Sequence, residues 1–229
     1  MKTIILTDFD KALISELRDC GYNTLTFTKA KGFDGFLGYH TDLFFLRINN
    51  TLFVSDAVVF NNKSISTEII KVHSVSQGYP FEAGLNCLYI NNKIFCNTKT
   101  IHPQVKKFAE QHGIQMIHTN QGYTKCSVAV VGENAAITED VGLYKTLIEN
   151  GVDILLVEKG YVQLVGYDYG FIGGASIYDS LNQTVFFFGD INAVPYSQNI
   201  YNFCEKHKTK VVCLIKDKPL TDYGSAILL

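Results

Sequence analysis

Asp42-Leu43-Phe44-Phe45-Leu46-Arg47-Ile48-Asn49-Asn50-Thr51-Leu52-Phe53-Val54-Ser55 aligns without a gap to Gly84-Leu85-Asn86-Cys87-Leu88-Tyr89-Ile90-Asn91-Asn92-Lys93-Ile94-Phe95-Cys96-Asn97. In both stretches two apolar runs flank Ile-Asn-Asn. Short runs rich in β-branched and aromatic residues favour strands. Asn tolerates the left-handed backbone that a tight turn needs. Each stretch is therefore predicted to be a β-hairpin. A third copy runs from Lys125 to Thr138 and turns at Gly132-Glu133-Asn134. A fourth, Ala175 to Gly189, is one residue longer, which predicts a bulge. Gly224 to Leu229 supplies only the first strand of a fifth copy, and Thr3 to Thr7 is the candidate for its missing partner.

The segments around the hairpins repeat as well. A Gly/Tyr pair precedes each one: Gly38-Tyr39, Gly78-Tyr79, Gly122-Tyr123, Tyr169-Gly170 and Tyr223-Gly224. Helical spacing of apolar residues predicts helices over Asp10 to Cys20, Pro103 to His112, Glu139 to Asn150 and Ser197 to His207. Gly21, Gly113 and Gly151 close three of them, as a helix stop requires. A short helix near Ser66 to Lys71 is expected in the second unit. A β-rich run follows the helices at Asn23 to Phe27, Gln115 to His118, Asp153 to Val157 and Lys210 to Ile215. The unit is thus hairpin, helix, strand, about 45 residues long when 229 residues are shared among five.

Composition narrows the function classes. Apolar residues make up 47% of the chain, ample for a buried core, and no stretch approaches the roughly 18 apolar residues of a membrane helix. Net charge is −2 with no basic block, which argues against nucleic acid as a partner. Arg18 and Arg47 are the two arginines, so bidentate recognition of phosphate or carboxylate has few candidates. The run beginning at Thr3 is too short for a signal peptide and is broken by Asp8 and Asp10. With six scattered cysteines and no Cys-x-x-Cys, a cytoplasmic protein with reduced thiols is expected. Asp8 and Asp10 read as helix-capping residues rather than a phosphatase motif. Gly170 to Gly174 lacks the dinucleotide-binding pattern, and its glycines suit a close approach of backbone at the centre of the fold.

The near-fivefold αβ repeat resembles the pentein fold of the guanidino-modifying enzymes. Several segments further resemble an uncharacterised bacterial family assigned to that superfamily. They are Tyr79-Pro80 with Leu85-Asn86, Gln121 to Ser127, Ile137 to Asp140, Gly170 to Ser176, and Gly189-Asp190. Together they span nearly the whole chain. The resemblance implies one domain, residues 1–229, built as a five-bladed αβ propeller whose fifth module is closed by the N-terminal strand. It also implies a central site in which a cysteine attacks a guanidinium carbon, a histidine moves protons and carboxylates hold the cation.

His40-Thr41-Asp42 matches the superfamily's His-x-Asp motif. Read as strand residues, His40 and Asp42 share a face. Glu82 takes the place of His40 in the second unit, and Asn86 falls on the same face as Glu82. Cys126 is the best-placed thiol, although the superfamily's nucleophile belongs to the last module, where Gly224-Ser225-Ala226 has no cysteine. By strand alternation Lys125, not Cys126, shares the parity of Asp42, so only a bulge or a non-strand start turns Cys126 toward His40. The expected catalytic residues are His40, Asp42 and Cys126, and the expected substrate-binding residues are Glu82, Asn86 and Lys125. No metal or cofactor is expected, because His102, His112, His118 and His207 lack partners at ligand spacing. The expected activity is that of a hydrolase or transferase on a guanidino or amidine-type small molecule. The alternative is a non-catalytic binding protein on the same fold, as in translation initiation factor 6. Oligomeric state is left open.

Overall fold

A short hairpin leaves one edge of each strand unpaired, so it needs a third strand to satisfy its backbone. In this chain the third strand comes from just beyond the next segment. The computed structural model describes residues 2–59, 65–73 and 75–229. In chain order the elements are β1 (Thr3–Thr7), α1 (Lys11–Asp19), β2 (Asn23–Phe27), α2 (Thr41–Phe44), β3 (Phe45–Ile48), β4 (Thr51–Ser55) and β5 (Glu68–Val72). Then come β6 (Leu88–Ile90), β7 (Lys93–Cys96), α3 (Pro103–Gln111), β8 (Gln115–His118), β9 (Val128–Gly132), β10 (Ala135–Thr138), α4 (Val141–Glu149) and β11 (Asp153–Leu156). The chain ends with β12 (Ser176–Asp179), β13 (Thr184–Asp190), α5 (Ser197–Lys206), β14 (Lys210–Pro219) and β15 (Ile227–Leu228).

Among the described residues the strands form five three-stranded sheets: β15-β1-β2, β3-β4-β5, β6-β7-β8, β9-β10-β11 and β12-β13-β14. Each central strand is antiparallel to one neighbour and parallel to the other. The split fifth hairpin forms as expected, with Ile4 opposite Leu228 and Ile5 opposite Ile227. The Asn pairs turn where the sequence places them, and Asn49, Asn91 and Asn92 all have φ between 51° and 54°. Gly21, Gly113 and Gly151 follow their helices at φ of 89°, 62° and 83°. Asp10 caps α1 by accepting from the Ala12 and Leu13 amides at 3.0 and 3.2 Å.

Two expectations fail. The helix near Ser66 to Lys71 is instead β5, in parallel register with β4 from Thr51–Glu68 to Ser55–Val72. Ile69, Ile70 and Val72 prefer the pleated surface, and a strand satisfies the open edge of β4. The extra residue of the fourth hairpin is not a bulge. Pairing from Ser176–Phe187 to Asp179–Thr184 is unbroken, so the extra length sits in the loop at 180–183. Asp179 stabilises that loop by accepting from the Leu181 and Asn182 amides at 3.0 and 3.2 Å.

The segments entering the hairpins meet one another. Asp42 N donates to Gly224 O at 2.9 Å, Gly174 N to Cys126 O at 2.9 Å and Ser225 N to Gly174 O at 2.6 Å. Around them Phe44, Phe45, Phe53, Phe95, Phe187 and Phe188 are fully buried. No helix among the described residues is long and apolar enough to cross a membrane.

Candidate active site

The parity of the site differs from the strand reading because its residues precede the strands. Residues Thr41–Phe44 form the helical turn α2, in which Leu43 N donates to His40 O at 3.3 Å. Residues 124–127 turn in the same way. Ser127 N donates to Tyr123 O at 3.0 Å and Val128 N to Lys125 O at 3.2 Å, and β9 begins only at Val128. Side chains on a helical turn advance by about 100° per residue rather than 180°. Cys126 is thereby freed from strand alternation and reaches His40. The non-strand start named above is the arrangement that occurs.

Cys126 Sγ donates to Asp42 Oδ2 at 2.8 Å and lies 4.0 Å from His40 Nδ1. Asp222 Oδ1 is 3.9 Å from the same His40 nitrogen. All four side chains are buried. Asp222 was not singled out from sequence, although it directly precedes the Tyr223-Gly224 pair. It is held by two backbone donors, Gly224 N to Oδ1 at 2.8 Å and Phe171 N to Oδ2 at 2.9 Å. Gly224, at φ +70°, packs so closely on His40 that an added Cβ would sit 2.4 Å from the His40 Cα. That contact fixes the imidazole against the fifth unit.

His40, Cys126 and Asp222 line a cavity of about 310 Å³ whose other walls include Leu37, Tyr123, Tyr167 and Phe171. Asp42 stands behind the sulfur. Glu82 and Asn86 are buried but do not line this cavity. Glu82 accepts from Tyr123 OH and, at 2.5 Å, from Gly78 N, so it anchors a cavity wall. Asn86 Oδ1 accepts from both Lys125 N (2.9 Å) and Cys126 N (3.1 Å), so it holds the turn carrying the thiol. Lys125 projects to a different cavity and donates to Ser225 Oγ at 3.0 Å.

Burial dominates the charge states. It lowers the His40 pKa, although Asp42 opposes it. It raises Asp42, which Asp222 reinforces and His40 and Lys125 oppose. Cys126 is pushed well above the ordinary thiol range by burial, then by Asp42 and Asp222, with Lys125 acting the other way. Asp222 is raised to about 6 by burial against its two backbone donors. Buried polar atoms without a partner here are His40 Nε2, Asp42 Oδ1 and Asn86 Nδ2. Orphaned buried atoms cost free energy, which a ligand can recover. A metal is one such ligand in chemical terms. His40, Cys126 and Asp222 offer nitrogen, sulfur and oxygen donors within 4.8 Å of one another. The sequence reading missed this donor set because Asp222 was not part of it.

A neighbouring carboxylate makes a separate prediction. Glu139 is raised to about 7, by burial first and Asp222 next, while its bond from Ile172 N at 3.2 Å opposes. The folded state keeps this proton between about pH 4.5 and 7, where the unfolded chain has released it, so stability falls as pH rises through that window. Glu139→Gln removes the penalty. Each pKa unit is worth about 1.4 kcal/mol, so the variant is expected to be up to about 2 kcal/mol more stable at pH 8 after solvent relaxation. At pH 4 the two proteins are expected to unfold alike in urea.

Over 93% of this chain and 91% of that chain, at 9% identity and a TM-score of 0.58, the protein is similar to the DDAH of Pseudomonas aeruginosa, solved as a cysteine-to-serine mutant complexed with citrulline. It is similar to an amidinotransferase of Microseira wollei from the saxitoxin biosynthetic pathway, over 93% of this chain and 88% of that chain, at 8% identity and a TM-score of 0.51. It is also similar to the agmatine deiminase of C. jejuni with substrate bound, over 98% of this chain and 81% of that chain, at 14% identity and a TM-score of 0.52. The fold is that of the pentein superfamily. The chain belongs to the Family of unknown function (DUF6873), whose model matches residues 4–227. No curated protein matches the chain in sequence.

Proposed function

We propose that this protein is a cytoplasmic hydrolase or transferase that acts on a guanidino or amidine-type small molecule through Cys126, with its five sheets arranged as an αβ propeller around the site. The observation that carries this reading is the Cys126 thiol, bonded to Asp42 at 2.8 Å and 4.0 Å from His40, at the wall of a cavity that Asp222 also lines. A planar cation there pairs with Asp222, the buried carboxylate that lines the cavity. Its charge adds to that of Lys125 in offsetting Asp42 and Asp222 and draws the thiol toward ionisation.

In the free protein the thiol is protonated and the imidazole neutral, the two states that a proton transfer between them needs. The Sγ proton passes to His40, and sulfur bonds to the guanidinium carbon. His40 then gives that proton to the departing amine as the C–N bond breaks. Water, or an amine in a transferase, attacks the resulting thiouronium carbon and loses a proton to His40. The C–S bond breaks, the proton returns to sulfur, and a ureido product leaves after attack by water or a guanidino product after attack by an amine. Glu82 and Asn86 act in this scheme as positioning residues for Tyr123 and for the Cys126 turn. Lys125 supplies positive charge from the far side.

A panel of guanidino and amidine compounds assayed for ammonia and ureido product tests the reading. Turnover of at least one member is the expected result, and none across the panel contradicts it. Asp222→Asn keeps the shape and removes the charge, so kcat/KM is expected to fall about 10- to 100-fold, mostly through KM. One observation favours binding without catalysis: Ser225, not cysteine, stands in the last module. That reading predicts saturable binding of a guanidino compound with no product and no adduct on Cys126.

A further inference from the structure

Lys125 and Cys126 are neighbours in sequence, yet they line different cavities. The cavity on the Lys125 side measures about 280 Å³. Two cations line it, Lys125 and Arg47, and no Asp or Glu does. Neither cation has an ion-pair partner among the described residues. Lys125 Nζ donates to Ser225 Oγ at 3.0 Å and to Gly173 O at 3.4 Å. Arg47 donates to the carbonyls of Asn49 and Leu228. Burial disfavours the charged form of both side chains, and each is hydrogen-bonded only by neutral oxygens, while Asp42 and Asp222 favour the Lys125 charge without an ion pair. Much of the remaining wall is apolar, with Phe45 and Ile177 among its members.

We propose that this second cavity binds a small organic carboxylate, and that the bound anion damps the reactivity of Cys126 from behind. The carboxylate pairs with Lys125 and Arg47, and a short apolar body lies against Phe45 and Ile177. The coupling follows from chain connectivity and charge. Asn86 holds the Lys125 and Cys126 amides together, and the Lys125 ammonium is the positive charge that offsets Asp42 and Asp222 around the thiol. An anion on Lys125 cancels that offset and leaves the sulfur facing two carboxylates. Binding to this cavity does not depend on the catalytic reading, because it is measured without turnover.

The probes are hexanoate, its neutral analogue hexanamide, and inorganic phosphate, each titrated by calorimetry into wild type and into Cys126→Ser. Hexanoate is expected to bind both proteins saturably. Hexanamide, which lacks the charge, and phosphate, which lacks the apolar body, are expected to bind at least about tenfold more weakly. Lys125→Met is expected to weaken hexanoate about tenfold or more while Lys125→Arg retains it. Arg47→Gln, at the half-buried second cation, is expected to weaken hexanoate too, and circular dichroism confirms that each variant is folded. Alkylation of Cys126 by iodoacetamide is expected to slow severalfold in saturating hexanoate for wild type and not for Lys125→Met. Equal binding of acid and amide, phosphate binding as tightly as hexanoate, or hexanoate binding that survives both neutral substitutions overturns the proposal. Absence of hexanoate binding to either protein does so as well. An alkylation rate indifferent to bound hexanoate overturns the coupling. Because Cys126→Ser is inactive under the catalytic reading, its hexanoate binding is judged apart from that reading.

Discussion

Cys126→Ser is expected to lower turnover of any guanidino substrate by at least about 10³-fold while leaving substrate affinity within a few-fold. A hydroxyl is a far weaker acid than a thiol, and the site already opposes ionisation. Asp42 lies 2.8 Å from the sulfur and Asp222 lies within reach of the same histidine. The thiol can ionise there once a cation arrives, whereas a serine hydroxyl starts several pKa units higher. The substitution is nearly isosteric, and the hydroxyl can still donate to Asp42. The folded state should therefore persist, with a melting temperature close to that of wild type. Steady-state kinetics alongside thermal melting checks both halves of the expectation. A variant that keeps a tenth of wild-type turnover would remove Cys126 from the chemistry.

Gly173→Ala is expected to be strongly destabilising. A Cβ at this position would lie 2.4 Å from Lys125 O and 2.5 Å from both Cys126 O and Val128 O. All three contacts are with backbone, so no side chain can swing away. The turn that presents Cys126 must move, and with it the amides held by Asn86 and the bond from Gly174 N to Cys126 O. Overpacking of this kind costs about 3 kcal/mol or more. For a chain of this size that corresponds to a fall of roughly 6–12 °C in melting temperature. Gly160→Ala is the control for glycine-to-alanine effects in general. Its φ is +98°, yet nothing lies within 4 Å of the added Cβ, so it carries backbone strain without a clash. If Gly173→Ala is no more destabilising than that control, the packing at the Cys126 turn is looser than described.

The architecture was legible where local chemistry determines the backbone. Asn49, Asn91 and Asn92 adopt the left-handed conformation their hairpins need, and the pairing of β15 with β1 follows from a strand left without a partner. Ser66 to Lys71 was misread because its partner β4 lies more than ten residues away, and tertiary pairing decides the state of so short a segment. His40, Asp42 and Cys126 were visible as residue types beside hairpin entries. Their convergence was not, because period-two counting assumes a strand, whereas residues 41–44 and 124–127 are helical turns. Asp222 was overlooked because an Asp beside Tyr-Gly reads as turn chemistry. Its role in the site comes from burial against the Gly174 backbone and from donors in two segments about 50 residues apart, Phe171 and Gly224.

The central claim is that Cys126 is a nucleophile selected by a cationic planar ligand. Labelling with an amidine that carries a halide leaving group, such as 2-chloroacetamidine, tests it by intact mass and peptide mapping. Cys20 is the exposed cysteine of the six, and the other five are buried, so a neutral reagent such as iodoacetamide should prefer Cys20. The amidinium is expected to reverse that order. One adduct should form on Cys126, slowed by excess guanidinium and lost in Cys126→Ser. Modification confined to Cys20, or a Cys126 that reacts no faster with the amidinium than with iodoacetamide, would contradict the account.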